Sequence, residues 1–280
     1  MSLPAQALWG KSLLVTVEDL DLSGFDAAFS VTRTLKATPN TCELRLYNLG
    51  QALRRELATK AKDGLFVSIA AGFGDRLCQI YRGDLRDAFS VREDTGWVTT
   101  ISSGDGEKAR RTARVRRAFP RGTKVDVVLR ALTESLGVGM GNTASALFGP
   151  KKLAHGSSEF VSGTVTHGSA ATQLTEMLRS VGMEWSIQDG ELQVLDKGRA
   201  LAGEAIVLTP ETGLVGSPEP GNKGTVKATV LLMPGLQPGT KVLIETSEVH
   251  GLFRLERVDY AGDTTQDDWL AHIEGKGVKS

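Results

Sequence analysis

Apolar residues alternate with polar ones at Leu13, Val15 and Val17, again at Phe29 and Val31, and again at Cys42, Leu44 and Leu46. A period of two sends successive side chains to opposite faces, so these segments read as half-buried strands. Between Tyr47 and Gly64 the period lengthens: Leu49, Leu53 and Leu57 fall four apart beside Arg54, Arg55, Glu56 and Lys60, one amphipathic helical stripe. Strand patterning returns at Leu65 to Ala70, at Leu77 to Tyr81, around Phe89 and at Trp97 to Ile101, with Gly and Asp at the breaks. Residues 1–105 are therefore expected to form a β-barrel-like domain.

The next stretch changes character. Gly122-Thr123 precedes Val125, Val128, Leu129, Leu132 and Leu136, with Asp126 three residues after Thr123 and Gly137 beyond the last turn. This spacing predicts a helix with Thr123 as N-cap, a capping-box-like acid and a C-terminal glycine. A second helix is expected from near Ser169, with Ala170, Leu174, Met177, Leu178 and Val181 on one face and Gly182 as its stop. Trp185 and Ile187 then alternate with polar residues, Asp189-Gly190 supplies a two-residue hairpin turn, and Leu192 and Val194 return. Residues 106–200 thus read as a small αβ domain, a helix-and-hairpin module with two amphipathic helices. Residues 137–168 and Leu214 to Gly224, rich in Gly and small polar residues or in Gly and Pro, read as loops, the second as a domain boundary.

From Thr225 the alternation resumes at Val226, Ala228 and Val230, at Val242 and Ile244, at Phe253 and Leu255, and at Trp269, Ala271 and Ile273. So few strands make a poor domain alone, and residues 201–280 are expected to complete the N-terminal barrel or pair beside it. No solenoid-period repeat is visible, and the first and last thirds resemble each other only in being strands and turns. The fold class expected is mostly β with an αβ insertion.

Thirty-three basic residues balance thirty-three acidic ones, so no global field draws the chain to nucleic acid or an anionic membrane. Cys42 and Cys78 are too few for a disulfide framework and read as packing residues of a protein from a reducing compartment. Met1-Ser2-Leu3-Pro4 opens no signal peptide pattern, and no run of eighteen apolar residues suggests a membrane span.

Enzyme motifs fail on their chemistry. Gly72-Phe73-Gly74 lacks a third glycine and a following helix, and the glycines at 137, 139 and 141 follow a helix where a pyrophosphate site needs to open one. In Gly216 to Lys223, Pro218 and Pro220 remove the amide donors of a phosphate loop. Asp19, Asp21, Ser23 and Gly24 begin like a calcium loop, but Ser30 stands where a bidentate carboxylate is needed. His155, His167, His250 and His272 are scattered without ligand spacing. No catalytic residue, cofactor or metal is expected. The local anomaly is basic: Lys108, Arg110, Arg111, Arg114, Arg116, Arg117, Arg121 and Lys124 crowd one short stretch. Such a cluster can neutralise phosphates, but with Phe119 as its one aromatic it lacks a base-stacking platform. An arginine-rich face meeting an acidic protein partner is the favoured reading, because guanidinium forks pair bidentately with carboxylates.

Several segments, in order, resemble the baseplate hub family of phage tails, whose relatives include late control proteins of contractile phages and the hub part of type VI secretion spikes. They are Thr38-Pro39-Asn40 with Tyr47-Asn48-Leu49; Ala71-Gly72-Phe73-Gly74-Asp75 with Ile80-Tyr81-Arg82-Gly83-Asp84; and Trp97 with Ser103-Gly104-Asp105-Gly106. The C-terminal part adds Met233 to Gly239, Gly251-Leu252-Phe253-Arg254, Gly262-Asp263 and Trp269. The resemblance implies a homotrimer of subunits with two tail-tube-like barrel units each, a pseudo-sixfold ring joining the tail tube to the central spike. It also implies an open lumen through which DNA passes transiently, and residence in the baseplate of the virion after assembly in the host cytoplasm. Implied partners are a tube or tube-terminating protein, a separate spike protein, since no lysozyme, peptidase or spike repeat is appended, and tape measure and wedge proteins. On this reading the basic residues face a lumen, a tube subunit or a neighbouring protomer. The competing expectations are a tail-associated cell-wall-acting enzyme and a nucleic-acid-binding module using residues 108–124.

Overall fold

The computed structural model describes residues 10–61, 65–94, 96–143 and 163–278. The chain is mostly β, with 54% of the described residues in strands and 19% in helices, and divides into two units. One comprises the described parts of Met1–Thr34, Asn40–Gly104 and Gly198–Ser280; the other comprises Leu35–Pro39 and the described parts of Asp105–Lys197.

In the first unit, β1 (Lys11–Val17), β2 (Leu20–Asp21), β3 (Ala27–Thr34), β4 (Asn40–Tyr47), β5 (Phe66–Phe73), β6 (Arg76–Glu93) and β7 (Gly96–Asp105) come from the N-terminal part, with α1 (Gln51–Lys60) between β4 and β5. The C-terminal part supplies β12 (Ile206–Leu208), β13 (Leu214–Pro220), β14 (Thr225–Leu231), β15 (Lys241–Glu245), β16 (His250–Asp263) and β17 (Trp269–Gly277). All join one sheet in the order β13-β14-β17-β16-β3-β4-β7-β6-β5-β1-β2, with β15 also paired to β16 and β12 to β15. The two ends of that path, β13 and β2, do not pair with each other among the described residues. The alternation in the sequence is the alternation of burial: Phe29, Val31, Cys42, Leu44, Leu46, Val67, Ile69, Ile101, Val226, Val230, Val242, Ile244 and Val258 share one core.

The two parts of this sheet repeat one plan. Each runs as a hairpin, β3-β4 or β13-β14, followed by a three-stranded meander, β5-β6-β7 or β15-β16-β17, whose last strand pairs with the hairpin's second strand. In each meander the last two strands share a register shift, between Leu85 and Asp87 against β7 and between Leu255 and Arg257 against β17. Aligning these bulges sets Ala88 on Val258, Ile101 on Ile273 and Trp97 on Trp269. Three backbone hydrogen bonds recur at matching places. Leu85 N–H donates to the Leu65 carbonyl (2.6 Å) as Leu255 does to Thr240 (2.9 Å). Asn48 N–H donates to Trp97 (2.7 Å) as Leu232 does to Trp269 (3.2 Å). Tyr47 N–H donates to Asp26 (2.9 Å) as Leu231 does to Gly213 (2.8 Å). The likeness between first and last thirds therefore reaches individual residues, beyond the shared class of element that their sequences display.

Leu214 to Gly224 is not the loop expected from its prolines and glycines. Leu214–Pro220 is a strand, with Leu214 opposite Val230 and Pro220 opposite Val226 and a bulge between Val215 and Glu219. The prolines are tolerated because this strand ends the sheet, where no second neighbour needs their missing N–H.

The second unit contains α2 (Glu107–Thr112), β8 (Arg114–Phe119), α3 (Val125–Leu136), β9 (Thr164–Ser169), α4 (Ala170–Ser180), β10 (Met183–Gln188) and β11 (Glu191–Asp196). Val128, Leu129, Leu132 and Leu136 of α3 pack with Leu174 and Leu178 of α4 and with Trp185, Ile187, Leu192 and Val194 of the β10-β11 hairpin. The predicted cap of α3 is wrong by one residue. Lys124 takes the N-cap position with no side-chain bond, and the Thr123 hydroxyl donates instead to the Pro120 carbonyl at 2.7 Å, closing the preceding turn. Gly137 does end α3 in the left-handed conformation (φ 67°), and Ser169 does cap α4 by accepting from Thr172 N–H. The Asp189-Gly190 turn has positive φ at both residues (57° and 81°) and is held from below. The buried Asp105 carboxylate accepts from Asp189 N–H at 2.7 Å and Gly190 N–H at 2.9 Å.

Candidate assembly surfaces

The basic stretch is dispersed by its secondary structure. Lys108, Arg110 and Arg111 lie on α2, Arg114, Arg116 and Arg117 on β8, and Arg121 and Lys124 in the turn before α3. Arg110 turns inward, its guanidinium 4.9 Å from the centre of the Trp185 ring, and burial pushes its pKa below the ordinary arginine value. Arg114 folds back on its own chain, donating to the Arg111 carbonyl (2.8 Å) and the Ala113 carbonyl (3.1 Å). Arg116 and Arg117 are adjacent on a strand and point to opposite sides of the β8-β9 ribbon, with His167 across from Arg116 and Thr166 across from Arg117. Arg111, Arg116, Arg117, Arg121 and Lys124 are exposed and form no ion pair with a carboxylate of the described residues. A groove beside α2, lined by Glu107, Arg110, Arg111, Ser169, Thr172 and Thr175, is the concave part of this surface.

The histidines do not converge. His167 is on β9, His250 begins β16, and His272 of β17 shares a 3.0 Å hydrogen bond with Thr229; His155 lies outside the described residues. The calcium-like segment is a turn in which Ser23 N–H and hydroxyl hold the exposed Asp21 carboxyl below its usual range. Among the described residues no cluster of His, Cys, Asp and Glu has the geometry to hold a metal ion.

The hub reading requires exposed edge strands, but sequence reasoning did not say which edge of the large sheet stays open. Strand β16 is paired on one side by β17 from Phe253 to Gly262, and on the other by β15 from His250 to Arg254 and by β3 from Arg257 to Asp263. Its counterpart β6 is paired with β7 along Asp84 to Glu93 and with β5 only from Arg76 to Asp84. No strand of the described residues covers the other edge of Asp87 to Glu93. Phe89 (47% exposed), Val91 (41%) and the neighbouring Trp97 (38%) crowd this segment, and Val215 (40%) lies on the terminal strand β13.

This arrangement of hairpins, meanders and an inserted αβ unit is shared with known tail proteins. The family model described as "Baseplate hub gp41" matches residues 15–249. The chain belongs to the baseplate hub gp41 family. Its fold is also similar to that of solved structures at low sequence identity. The 43 kDa tail protein of prophage MuSo2 from Shewanella oneidensis is 10% identical with a TM-score of 0.64, over 95% of this chain and 98% of that one. The tail protein from Neisseria meningitidis MC58 is 11% identical with a TM-score of 0.65, over 96% and 97%. The E. coli c3393 protein, a component of the type VI secretion system with structural similarity to T4 tail proteins gp27 and gp5, is 9% identical with a TM-score of 0.60, over 95% and 77%. No curated protein matches this chain in sequence. A baseplate hub family member is a phage tail structural protein, and none of the helices among the described residues is long and apolar enough to cross a membrane.

Proposed function

We propose that this baseplate hub protein is a homotrimeric ring subunit that joins the tail tube to the central spike around an open lumen. The observation that carries the reading is the duplicated β plan: a chain presenting two equivalent sheet modules gives six modules from three copies. Such a ring matches sixfold symmetry on one side and threefold symmetry on the other. Tail tube-like modules serve this role as scaffold, and the reading assigns the chain no catalytic step. DNA passes through the lumen during delivery, and the particle resides in the virion baseplate after assembly in the host cytoplasm.

The exposed cations Arg111, Arg116, Arg117, Arg121 and Lys124 serve as a contact for an acidic surface of a neighbouring baseplate or tube protein. Arg116 and Arg117, on opposite sides of the β8-β9 ribbon, suit a protein contact better than a continuous phosphate track. Immunogold labelling of purified particles with an antibody against this chain tests the location. Gold confined to one end of the tail is the expected result. Gold absent from intact and opened particles, with the epitope shown to be accessible, contradicts it.

A further inference from the structure

The geometry points to a particular joint between copies of this chain: the outer edge of β13 in one copy pairs antiparallel with the Asp87–Glu93 edge of β6 in the next. This joint repeats between chains the β3 to β16 joint inside each chain, and it deepens the ring reading on which it rests by naming the surfaces that close the ring.

The internal joint sets the pattern. Asp263 N–H donates to the Asp268 carbonyl at 2.9 Å, so by antiparallel alternation Asp259 and Ala261 bond toward β17, while Val258, Tyr260 and Gly262 turn their N–H and C=O groups toward β3. Aligned through the shared bulge, the residues of β6 that turn the same way are Ala88, Ser90 and Arg92. An open edge flanked by exposed Phe89 and Val91 is a template for another strand, and proteins leave such edges uncovered only where a partner is meant to cover them or where charge or proline blocks them. Here the apolar residues favour a partner.

The matching strand is also present in the chain. As β3 is the outer strand of the first hairpin and lies on β16, so β13 is the outer strand of the second hairpin and ends the sheet. The registers of β4 with β3 and of β14 with β13 place Glu219 where Ser30 stands and Pro220 where Val31 stands. Internally Ser30 faces Ala261 and Val31 faces Tyr260. Transferred between copies, Glu219 faces Val91 and Pro220 faces Ser90.

Proline sets the strength of this joint. Pro220 accepts from Ser90 N–H through its carbonyl but cannot donate in return, so the ladder between copies has fewer bonds than the one within each copy. The same deficit prevents two β13 edges from pairing with each other. The contact uses different surfaces on its two sides, so it propagates head to tail and ends only when the ring closes.

A disulfide tests the register. Ser30 and Ala261 form a non-hydrogen-bonded pair, a type with Cα atoms about 4.5 Å apart, within reach of a disulfide. The double variant Val91→Cys with Glu219→Cys, oxidised mildly and read on non-reducing gels and by intact mass, is expected to link neighbouring chains up to a closed oligomer. Each single variant, which controls for Cys42 and Cys78, and the mispaired Val91→Cys with Glu248→Cys are expected to give at least tenfold less linkage. Adding Phe89→Lys to the double variant is expected to cut its linkage about tenfold while its circular dichroism and melting stay unchanged. Wild-type chains that associate in light scattering, with the double variant left reduced, refute the joint and leave the ring standing. Chains that remain monomeric at every concentration, with no linkage in any variant, overturn both.

Discussion

Strands β6 and β16 follow the same plan but differ in what covers them. Trp269, at the start of β17, is 2% exposed, donates its indole N–H to the Gly72 carbonyl at 2.9 Å, and meets Phe29 of β3 edge-on at 5.4 Å. Trp97, its counterpart on β7, is 38% exposed, with the Arg54 guanidinium 3.7 Å from its ring centre. Opposite Trp269 stands Gly262, where a Cβ would lie 2.3 Å from Phe29 Cζ; opposite Trp97 stands exposed Arg92. One copy of the module is thus covered by its own chain, while its twin stays exposed. A duplicated scaffold can diverge in this way, keeping the register that defines the fold while one edge becomes core and the other stays open.

The largest effect that would break this comparison is at the two tryptophans. Trp269→Ala is expected to cost the isolated chain about 3–5 kcal/mol, whereas Trp97→Ala costs about 1 kcal/mol from lost area and the cation contact; chemical denaturation measures both. Equal losses would mean that the two edges are equally buried. Next, Gly262→Val forces Phe29 and Trp269 apart and is expected to cost about 2–3 kcal/mol, while Arg92→Val stays within about 0.5 kcal/mol. Smaller in the monomer but decisive for assembly, Phe89→Lys is expected to leave melting unchanged and weaken self-association about tenfold, read by sedimentation.

The smallest effect concerns acid. Burial raises the Asp263 pKa, but the N–H groups of Thr265 and Gln266, the Thr265 hydroxyl and the Lys11 charge outweigh it and hold the carboxyl below the usual aspartate range. A depressed folded-state pKa contributes stability that is present above about pH 4 and lost as pH falls through the folded value. Asp263→Asn is therefore expected to flatten the decline of stability below pH 4, and an unchanged slope would show that the carboxyl is not held this way.

Much of the fold could be read from periodicity, because alternation reports which face of a strand is buried, and the stripes at Leu129 and Leu174 report helices packed in one core. Periodicity does not report which edge of a strand is paired, so the contrast between Ala88–Glu93 and Val258–Asp263 was illegible. The duplication was hidden for a related reason: Leu85 and Leu255, and Trp97 and Trp269, coincide, but Ser90 answers to Tyr260 and Arg92 to Gly262, since one edge faces solvent and the other faces β3. Pro218 and Pro220 read as a loop because their meaning depends on sheet position, which residue type alone does not give. The basic stretch was visible as composition, but that Arg110 leaves it to stack on Trp185 is a tertiary fact.

A ring of three closed by two equivalent modules per chain fixes the mass of the purified chain in solution, which light scattering over a wide concentration range measures. A closed species of three times the 29.9 kDa chain mass that dissociates with Phe89→Lys is the expected result. A species built on even numbers of chains, or a monomer throughout, would contradict it.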